Sequence, residues 1–220
     1  MKISKRLRVI SDFIPDNSLF LDIGCDHALL DIYAVKNKKE VRAIASDINE
    51  GPVKSAKDNV KKYNLEQRIK VVKKDGLNSY EKGVDIVILS GLGSHTIVNI
   101  LKERKDLLKD IETIIISSNN DYYYLRKNIM KLGYYIKDEK MVLDKGKYYP
   151  IILFKKGNKK YKKYDLKYGP ILLKSKDKEL IDYIEKEKSK LKEIYKKLSI
   201  KYLLKKHVIK REIRFLEKLR

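Results

Sequence analysis

Leu19-Phe20-Leu21-Asp22-Ile23-Gly24-Cys25-Asp26-His27 is the stretch that decides the fold. A short apolar run followed directly by glycine reads as a buried strand entering a tight turn. Glycine at such a turn lets the backbone approach a ligand closely. A helical stretch is expected next, through about Val35. Its first N–H groups would point into the crevice at the strand ends, where open α/β sheets bind ligands.

The same alternation continues outward. Val41-Arg42-Ala43-Ile44-Ala45 reads as a second strand, followed by a helix from about Pro52 to Tyr63 with the proline in its first turn. Ile69-Lys70-Val71-Val72 and Val84-Asp85-Ile86-Val87-Ile88-Leu89 read as the third and fourth strands. A helix over roughly Thr96 to Arg104 precedes a fifth strand at Thr113-Ile114-Ile115-Ile116. The helix from Asp121 to about Leu132 ends at Gly133, a natural C-cap. Tyr134 to Leu143 and Tyr148 to Phe154, joined by Asp144-Lys145-Gly146, read as a hairpin. Strands alternating with helices predict an α/β fold with a mostly parallel, Rossmann-like, doubly wound sheet, and the hairpin adds an antiparallel edge. This order resembles the class-I methyltransferase topology.

A polar, lysine-rich linker, 155–168, separates that domain (1–156) from a C-terminal one (157–220). From about Lys174 the chain reads as helical, with an apolar stripe at Leu180, Ile184, Leu191, Ile194 and Leu198 at coiled-coil spacing. Ile209, Ile213, Leu216 and Leu219 form a second stripe. One narrow face per run predicts an antiparallel helical pair broken between Ser199 and Lys206, and a single long dimerising helix is the alternative.

The 220 residues include 52 basic and 30 acidic side chains, a net charge of +22. Charge of this size favours a polyanionic partner, because each neutralised phosphate releases condensed counterions. AT-rich coding would also give a lysine-heavy chain, and only nine of the basic residues are arginine. Distribution argues further for nucleic acid: residues 157–220 carry 22 basic and 9 acidic residues. No uncharged apolar run of about 18 residues is present, so no membrane span is expected. Charged residues interrupt every candidate signal segment. One cysteine, Cys25, and three histidines exclude an intrachain disulfide and leave too few ligands for an ordinary zinc site, so no metal is expected. Together these features predict a cytoplasmic protein, and a monomer is expected.

Chemistry concentrates at the strand ends. A dinucleotide fold calls for Gly-x-Gly-x-x-Gly after the first strand, and only Gly24 is present. With no pyrophosphate to cradle, the turn suits S-adenosyl-L-methionine better than NAD. Asp22 and Asp26 would face the cationic amino-acid end of that cofactor, with Cys25 and His27 beside them. Asp47, before Ile48, follows the second strand, where a carboxylate accepts ribose hydroxyls. Asp75-Gly76 follows the third, within reach of an adenine amino group. Each aspartate alone also reads as an ordinary cap or turn residue, but three at successive strand ends point to one ligand. The fourth strand ends in Ser90-Gly91-Leu92-Gly93-Ser94-His95, where small residues let a planar base come close; a truncated phosphate-binding turn is the other reading. Ser117-Ser118-Asn119-Asn120 offers partners to a base edge, and Tyr122, Tyr123 and Tyr124 offer stacking faces, one of them needed by the core.

These motifs resemble the bacterial tRNA adenine-N1 methyltransferases that modify adenine 22. The likeness begins at Asp22-Ile23-Gly24-Cys25-Asp26-His27-Ala28. It continues through Asn49-Glu50-Gly51-Pro52, Lys74-Asp75-Gly76-Leu77, Gly91-Leu92-Gly93, Asn120, Leu125-Arg126 and Gly133-Tyr134, and ends with Tyr148-Tyr149-Pro150-Ile151 and Tyr168-Gly169-Pro170. It covers nearly the whole chain in order. The family usually has serine at Cys25, Gly-Met-Gly-Gly at Gly91-Leu92-Gly93-Ser94, and Gln-Pro-Asn at Ser118-Asn119-Asn120. The resemblance implies S-adenosyl-L-methionine as methyl donor, S-adenosyl-L-homocysteine as product, tRNA as substrate and a C-terminal helical coiled-coil domain.

Adenine N1 carries an in-plane lone pair, so the expected step is a displacement governed by positioning. Asp26 is the candidate for stabilising the developing cation, and Asn120 for holding the base edge. In a stem the nucleotide must first be unpaired or flipped. Methylation of another RNA or of a small molecule, and non-catalytic RNA binding, are the alternative functions.

Overall fold

The computed structural model describes residues 1 and 3–219, residue 200 by its backbone alone. The chain opens with α1 (Lys5–Asp12) and β1 (Leu19–Ile23). It continues with α2 (Leu29–Asn37), β2 (Arg42–Asp47), α3 (Glu50–Lys62) and β3 (Ile69–Lys73). Then come β4 (Ile86–Ser90), α4 (Ser94–Glu103), β5 (Thr113–Ser117), α5 (Tyr122–Lys131) and the hairpin β6 (Tyr134–Asp144) with β7 (Lys147–Lys156). The seven strands lie in one sheet in the order β3-β2-β1-β4-β5-β7-β6.

Alternation along the central strands builds two core layers. Phe20, Ile86 and Ile88 pack with Ile10, Ile32 and Val60 under α1, α2 and α3. Leu21, Val87 and Leu89 turn the other way and join Ile97, Leu101, Leu125 and Ile129 under α4 and α5. Successive side chains of a strand face opposite sides, so continuously apolar strands need helices on both faces.

The mixed, Rossmann-like sheet agrees with the sequence reading, with one refinement. The hairpin adds the expected antiparallel edge, in reversed order: β7 lies between β5 and β6, antiparallel to both, and β6 is outermost. The hairpin turn is Lys145-Gly146 alone, since Asp144 pairs with Lys147.

The stretch read as a linker is only partly one. It ends in α6 (Lys163–Tyr168), followed by α7 (Pro170–Ser175), and Leu166, Tyr168 and Leu172 are buried. Arg126 of α5 donates to Leu166 O at 3.2 Å and to Glu139 of β6 at 2.7 Å. Glu139 in turn accepts the Ile171 N–H at 3.1 Å. A lysine-rich composition conceals this docking, because only a few residues of the run face inward.

Beyond it lie α8 (Lys178–Lys197) and α9 (Leu203–Glu217), separated by a break at 198–202. Asp177 caps α8 through the Leu180 N–H at 2.9 Å. Lys206 sits over the Tyr195 ring near the break, while Leu216 shares a buried cluster with Leu180 and Ile184 farther back, so α9 folds back along α8. Ile194, placed in the apolar stripe, is 45% exposed. Among the described residues no helix is long and apolar enough to cross a membrane.

Candidate active site

Parallel pairing brings the ends of β1, β2 and β3 to one edge of the sheet. Asp22 lies opposite Ala45, and Asp47 closes β2 opposite Lys73, two residues before Asp75. Gly24 turns the chain with φ +77°, a conformation that favours glycine. The N–H groups of Gly24 and Cys25 both donate to Ser46 O, at 2.8 and 3.0 Å. They anchor the turn to β2 and do not point into the crevice, and α2 starts only at Leu29. Between them Asp26 and Ala28 adopt φ of 52° and 53°, strain of a kind that concentrates at ligand-binding loops.

Two adjoining cavities open over these ends, with Gly24, Asp47 and Leu92 in the lining of both. The first, about 380 Å³, is lined by Asp22, Cys25, Asp26, His27, Ser90 and Gly91, and by Arg6 and Leu7 from α1. The second, about 440 Å³, is lined by Ile48, Asn49, Asp75 and Gly76, and by Thr96, Asn99 and Ile100 of α4. Asp47 therefore stands at the junction. Its Oδ1 accepts the Asn49 N–H at 2.9 Å, and its side chain reaches both cavities. Ser90 Oγ is buried without a hydrogen-bond partner beside the first cavity. Ile48 exposes 56% of its surface at the second. A Cβ on Gly24 would meet the Leu92 side chain at 3.6 Å. Carboxylates at one end, an acceptor at the junction and apolar walls at the other suit a long ligand with a cationic end, a central diol and a flat heterocycle.

The first cavity has an unusual floor. Asp22 is 4% exposed and Asp31, in the first turn of α2, is fully buried. Neither Asp31 carboxylate oxygen has a well-formed hydrogen-bond partner. Burial, and then the neighbouring Asp31 charge, push the Asp22 carboxyl well above the usual carboxylate range. Burial pushes Asp31 up to about 7. The Cys25 thiol is pushed up by burial and by Asp31, Asp22 and Asp47, so it is a packing residue and a poor nucleophile.

Asn120 lies apart from these two cavities. Its Oδ1 accepts the Ser94 N–H at 3.0 Å, and Asn119 donates to Gly91 O at 2.5 Å, fastening the loop after β5 to the loop after β4. Asn120 is exposed and borders a third cavity of about 450 Å³, a groove lined by Tyr122, Tyr123, Lys147, Tyr148, Lys167, Tyr183, Lys186 and Lys190. Tyr122 donates to Tyr148 O at 2.9 Å, and Tyr124 stacks on His95 with ring centres 3.9 Å apart. His95 thus faces α5 and lines neither of the two cavities over the strand ends.

The sequence reading missed Arg6, Asp31 and the α4 residues Asn99 and Ile100, while Leu92 stood within the turn that it singled out after β4. No motif marks Arg6 or Asp31, and helical periodicity places Asp31 on a face that reads as ordinary core.

The family model for tRNA (adenine(22)-N(1))-methyltransferase, TrmK, matches residues 20–218. A tRNA (adenine(22)-N(1))-methyltransferase of Bacillus subtilis is 34% identical over 207 residues, 90% of this chain and 87% of that protein. Streptococcus pneumoniae Sp1610 superposes with a TM-score of 0.94 at 30% identity over 99% of both chains. It has also been solved in complex with S-adenosyl-L-methionine, with a TM-score of 0.89 and 29% identity, again over 99% of both chains. M. capricolum TrmK in complex with S-adenosyl-homocysteine superposes at 0.86 with 30% identity over the whole of both chains. With a match that runs from β1 to the end of α9, this chain belongs to the tRNA (adenine(22)-N(1))-methyltransferase family.

Proposed function

We propose that the chain transfers a methyl group from S-adenosyl-L-methionine to N1 of adenine 22 in tRNA, releasing S-adenosyl-L-homocysteine. The observation that carries this reading is the line Asp22–Asp47–Asp75 along two adjoining cavities, one carboxylate at each of three successive strand ends. Family membership and the cofactor-bound relatives support it.

The cofactor supplies an electrophilic methyl group on its sulfonium. Asp22, Gly24, Cys25, Asp26 and His27 hold its amino-acid end, with Ser90 and Gly91 across the cavity. Asp47 takes the ribose hydroxyls, and Ile48, Asp75 and Gly76 take the adenine. N1 of the acceptor is unprotonated at neutral pH, so no general base is needed and positioning dominates. Asp26, 70% exposed in its side chain and 3.4 Å from His27 Nε2, offers its carboxylate to the charge that develops on the base. Asn120 stands at the mouth of the basic groove, where its amide N–H₂ meets the edge of an unpaired base.

The groove between the hairpin, α5 and α8 extends that site toward the tail. Its lysines neutralise phosphates and its tyrosines offer stacking faces. In this reading 1–156 is the catalytic domain. Residues 157–220 form a basic helical domain whose α8–α9 pair acts as a coiled-coil grip on the tRNA body. The protein works as a cytoplasmic monomer without a metal.

The test incubates purified protein, labelled S-adenosyl-L-methionine and unmodified tRNA, then maps reverse-transcription stops. A stop at position 22, absent from a tRNA with guanine there, is expected. Methyl incorporation elsewhere would redirect the reading to another acceptor, and none at all would leave an RNA-binding protein.

A further inference from the structure

The far end of the α8–α9 pair is apolar where solvent meets it. Tyr202, Leu203, Leu204 and Val208 are each more than half exposed, and Leu204 is 87% exposed. Four of the nine large apolar side chains exposed among the described residues thus stand within seven positions, at the turn into α9. They form a patch and not a scatter, and patches of this kind mark contact surfaces. The charge around it is as one-sided. Residues 194–211 hold six lysines and Arg211, and no aspartate or glutamate. Seven like charges repel a second copy of the same tip and select a polyanion.

A continuous surface leads there from the groove beside Asn120. Tyr183, Lys186 and Lys190 line that groove from α8. Steps of three or four residues stay on one face of a helix, and from Lys190 they continue through the exposed Ile194 to Lys197. From Tyr183 to Lys197 that face runs about 21 Å. An RNA seated in the groove therefore passes along α8 to the tip.

Phosphates explain the lysines there, but not the leucines. A folded tRNA hides its base faces inside stacks, except where a stack ends. The D loop closes the stem that carries position 22 and pairs with the T loop at the elbow. The last base pair of that junction shows one bare face. A flat apolar face ringed by phosphates matches an apolar tip ringed by lysines, and Tyr202 adds an aromatic ring to stack on it.

We propose that the tip formed by Tyr202, Leu203, Leu204 and Val208 caps the exposed base face at the tRNA elbow. The proposal rests on the tRNA reading given above and adds a contact distant from the methylated base. It makes the α8–α9 pair a gauge of tertiary folding, so that the enzyme prefers a folded tRNA to an isolated stem.

The test titrates two RNAs of equal length and charge. One is an unmodified tRNA, and the other is the same tRNA with D and T loops changed so that they no longer pair. The proteins are wild type and the combined variant Tyr202→Gln, Leu203→Gln, Leu204→Gln and Val208→Gln. Glutamine keeps helix propensity, and unchanged circular dichroism with wild-type affinity for S-adenosyl-L-homocysteine shows that the variant is folded. Wild type should bind the intact tRNA about tenfold more tightly than the altered one, the scale of one stacked base. The variant should lose that preference, bind the altered tRNA as wild type does, and keep the wild-type salt slope, because no charge has changed.

Equal weakening on both RNAs, or no preference in wild type, would overturn the elbow contact. So would unaltered tRNA binding by the variant. Loss of binding to phosphatidylglycerol–phosphatidylcholine vesicles would then assign the tip to an anionic membrane, and loss of a dimer in sedimentation would assign it to a second copy. If wild type binds neither RNA, the tRNA reading itself fails and the tip contact with it.

Discussion

Arg126 and Glu139 meet at 2.7 Å with side chains only 1% and 0% exposed, and this one pair locks α5, β6 and the start of the C-terminal segment together. Removing one partner of a buried pair strands the other charge, at about 3–5 kcal/mol. Arg126→Met and Glu139→Leu should each lower unfolding free energy by that order in urea titrations. The double variant Arg126→Met with Glu139→Leu should lose less than the two single losses combined, because no lone charge remains. Strict additivity would mean that the pair is not coupled.

Gly169 makes the same lock sensitive to a single methyl group. Its φ is +96°, and a Cβ there would sit 2.7 Å from Glu139 Oε2 and 2.9 Å from Leu172 Cδ1. Gly169→Ala therefore meets both backbone strain, of order 1–3 kcal/mol, and a clash with the buried carboxylate. A fall in thermal midpoint of several degrees is expected, with cofactor affinity retained. An unchanged midpoint would show that the turn relaxes without cost.

The sheet and the strand-end aspartates were legible because both leave local marks. Leu19 to Ile23 is apolar on both faces, and Asp22, Asp47 and Asp75 stand where chain direction alone brings parallel strand ends together. Arg6 and Asp31 left no such mark. An arginine in an exposed-looking first helix and an aspartate amid apolar neighbours acquire meaning only when α1 and α2 pack over β1. Leu166 and Tyr168 were hidden differently, since lysines on either side made their segment read as linker. The partner of Glu139, thirteen residues away in the chain, is likewise a product of tertiary packing that composition does not encode.

The Asp22–Asp31 pair should make stability fall as pH rises. Burial raises Asp31 to about 7 in the folded state, against an ordinary value of about 3.9. The folded protein thus binds more protons than the unfolded chain between those values. Stability from this source is complete below about pH 4 and is lost as pH climbs through about 7. Asp31→Asn should be relatively more stable than wild type at pH 8 than at pH 5 in urea titrations. Parallel pH dependences would remove the pair from the account. A cation arriving at Asp22 favours the ionised form, so uptake of S-adenosyl-L-homocysteine at pH 7 should release part of a proton. Calorimetry in buffers of different ionisation heat measures that release.

The groove beside Asn120 separates RNA affinity from cofactor affinity. Lys147, Lys186 and Lys190 line it, with Lys186 4.8 Å from the centre of the Tyr148 ring. Deleting everything after 156 would be a poor test, because it strips Arg126 and Glu139 of Leu166 and Ile171. Charge reversal keeps the fold. Lys147→Glu, Lys186→Glu and Lys190→Glu combined should weaken tRNA binding at least about tenfold, and flatten the salt dependence by about one unit of log–log slope for every phosphate no longer neutralised. Calorimetric affinity for S-adenosyl-L-homocysteine should stay at the wild-type value, since none of the three lines either cavity over the strand ends. Undiminished tRNA binding with an unaltered salt slope would exclude the groove as the phosphate track and shift that role to the outer faces of α8 and α9.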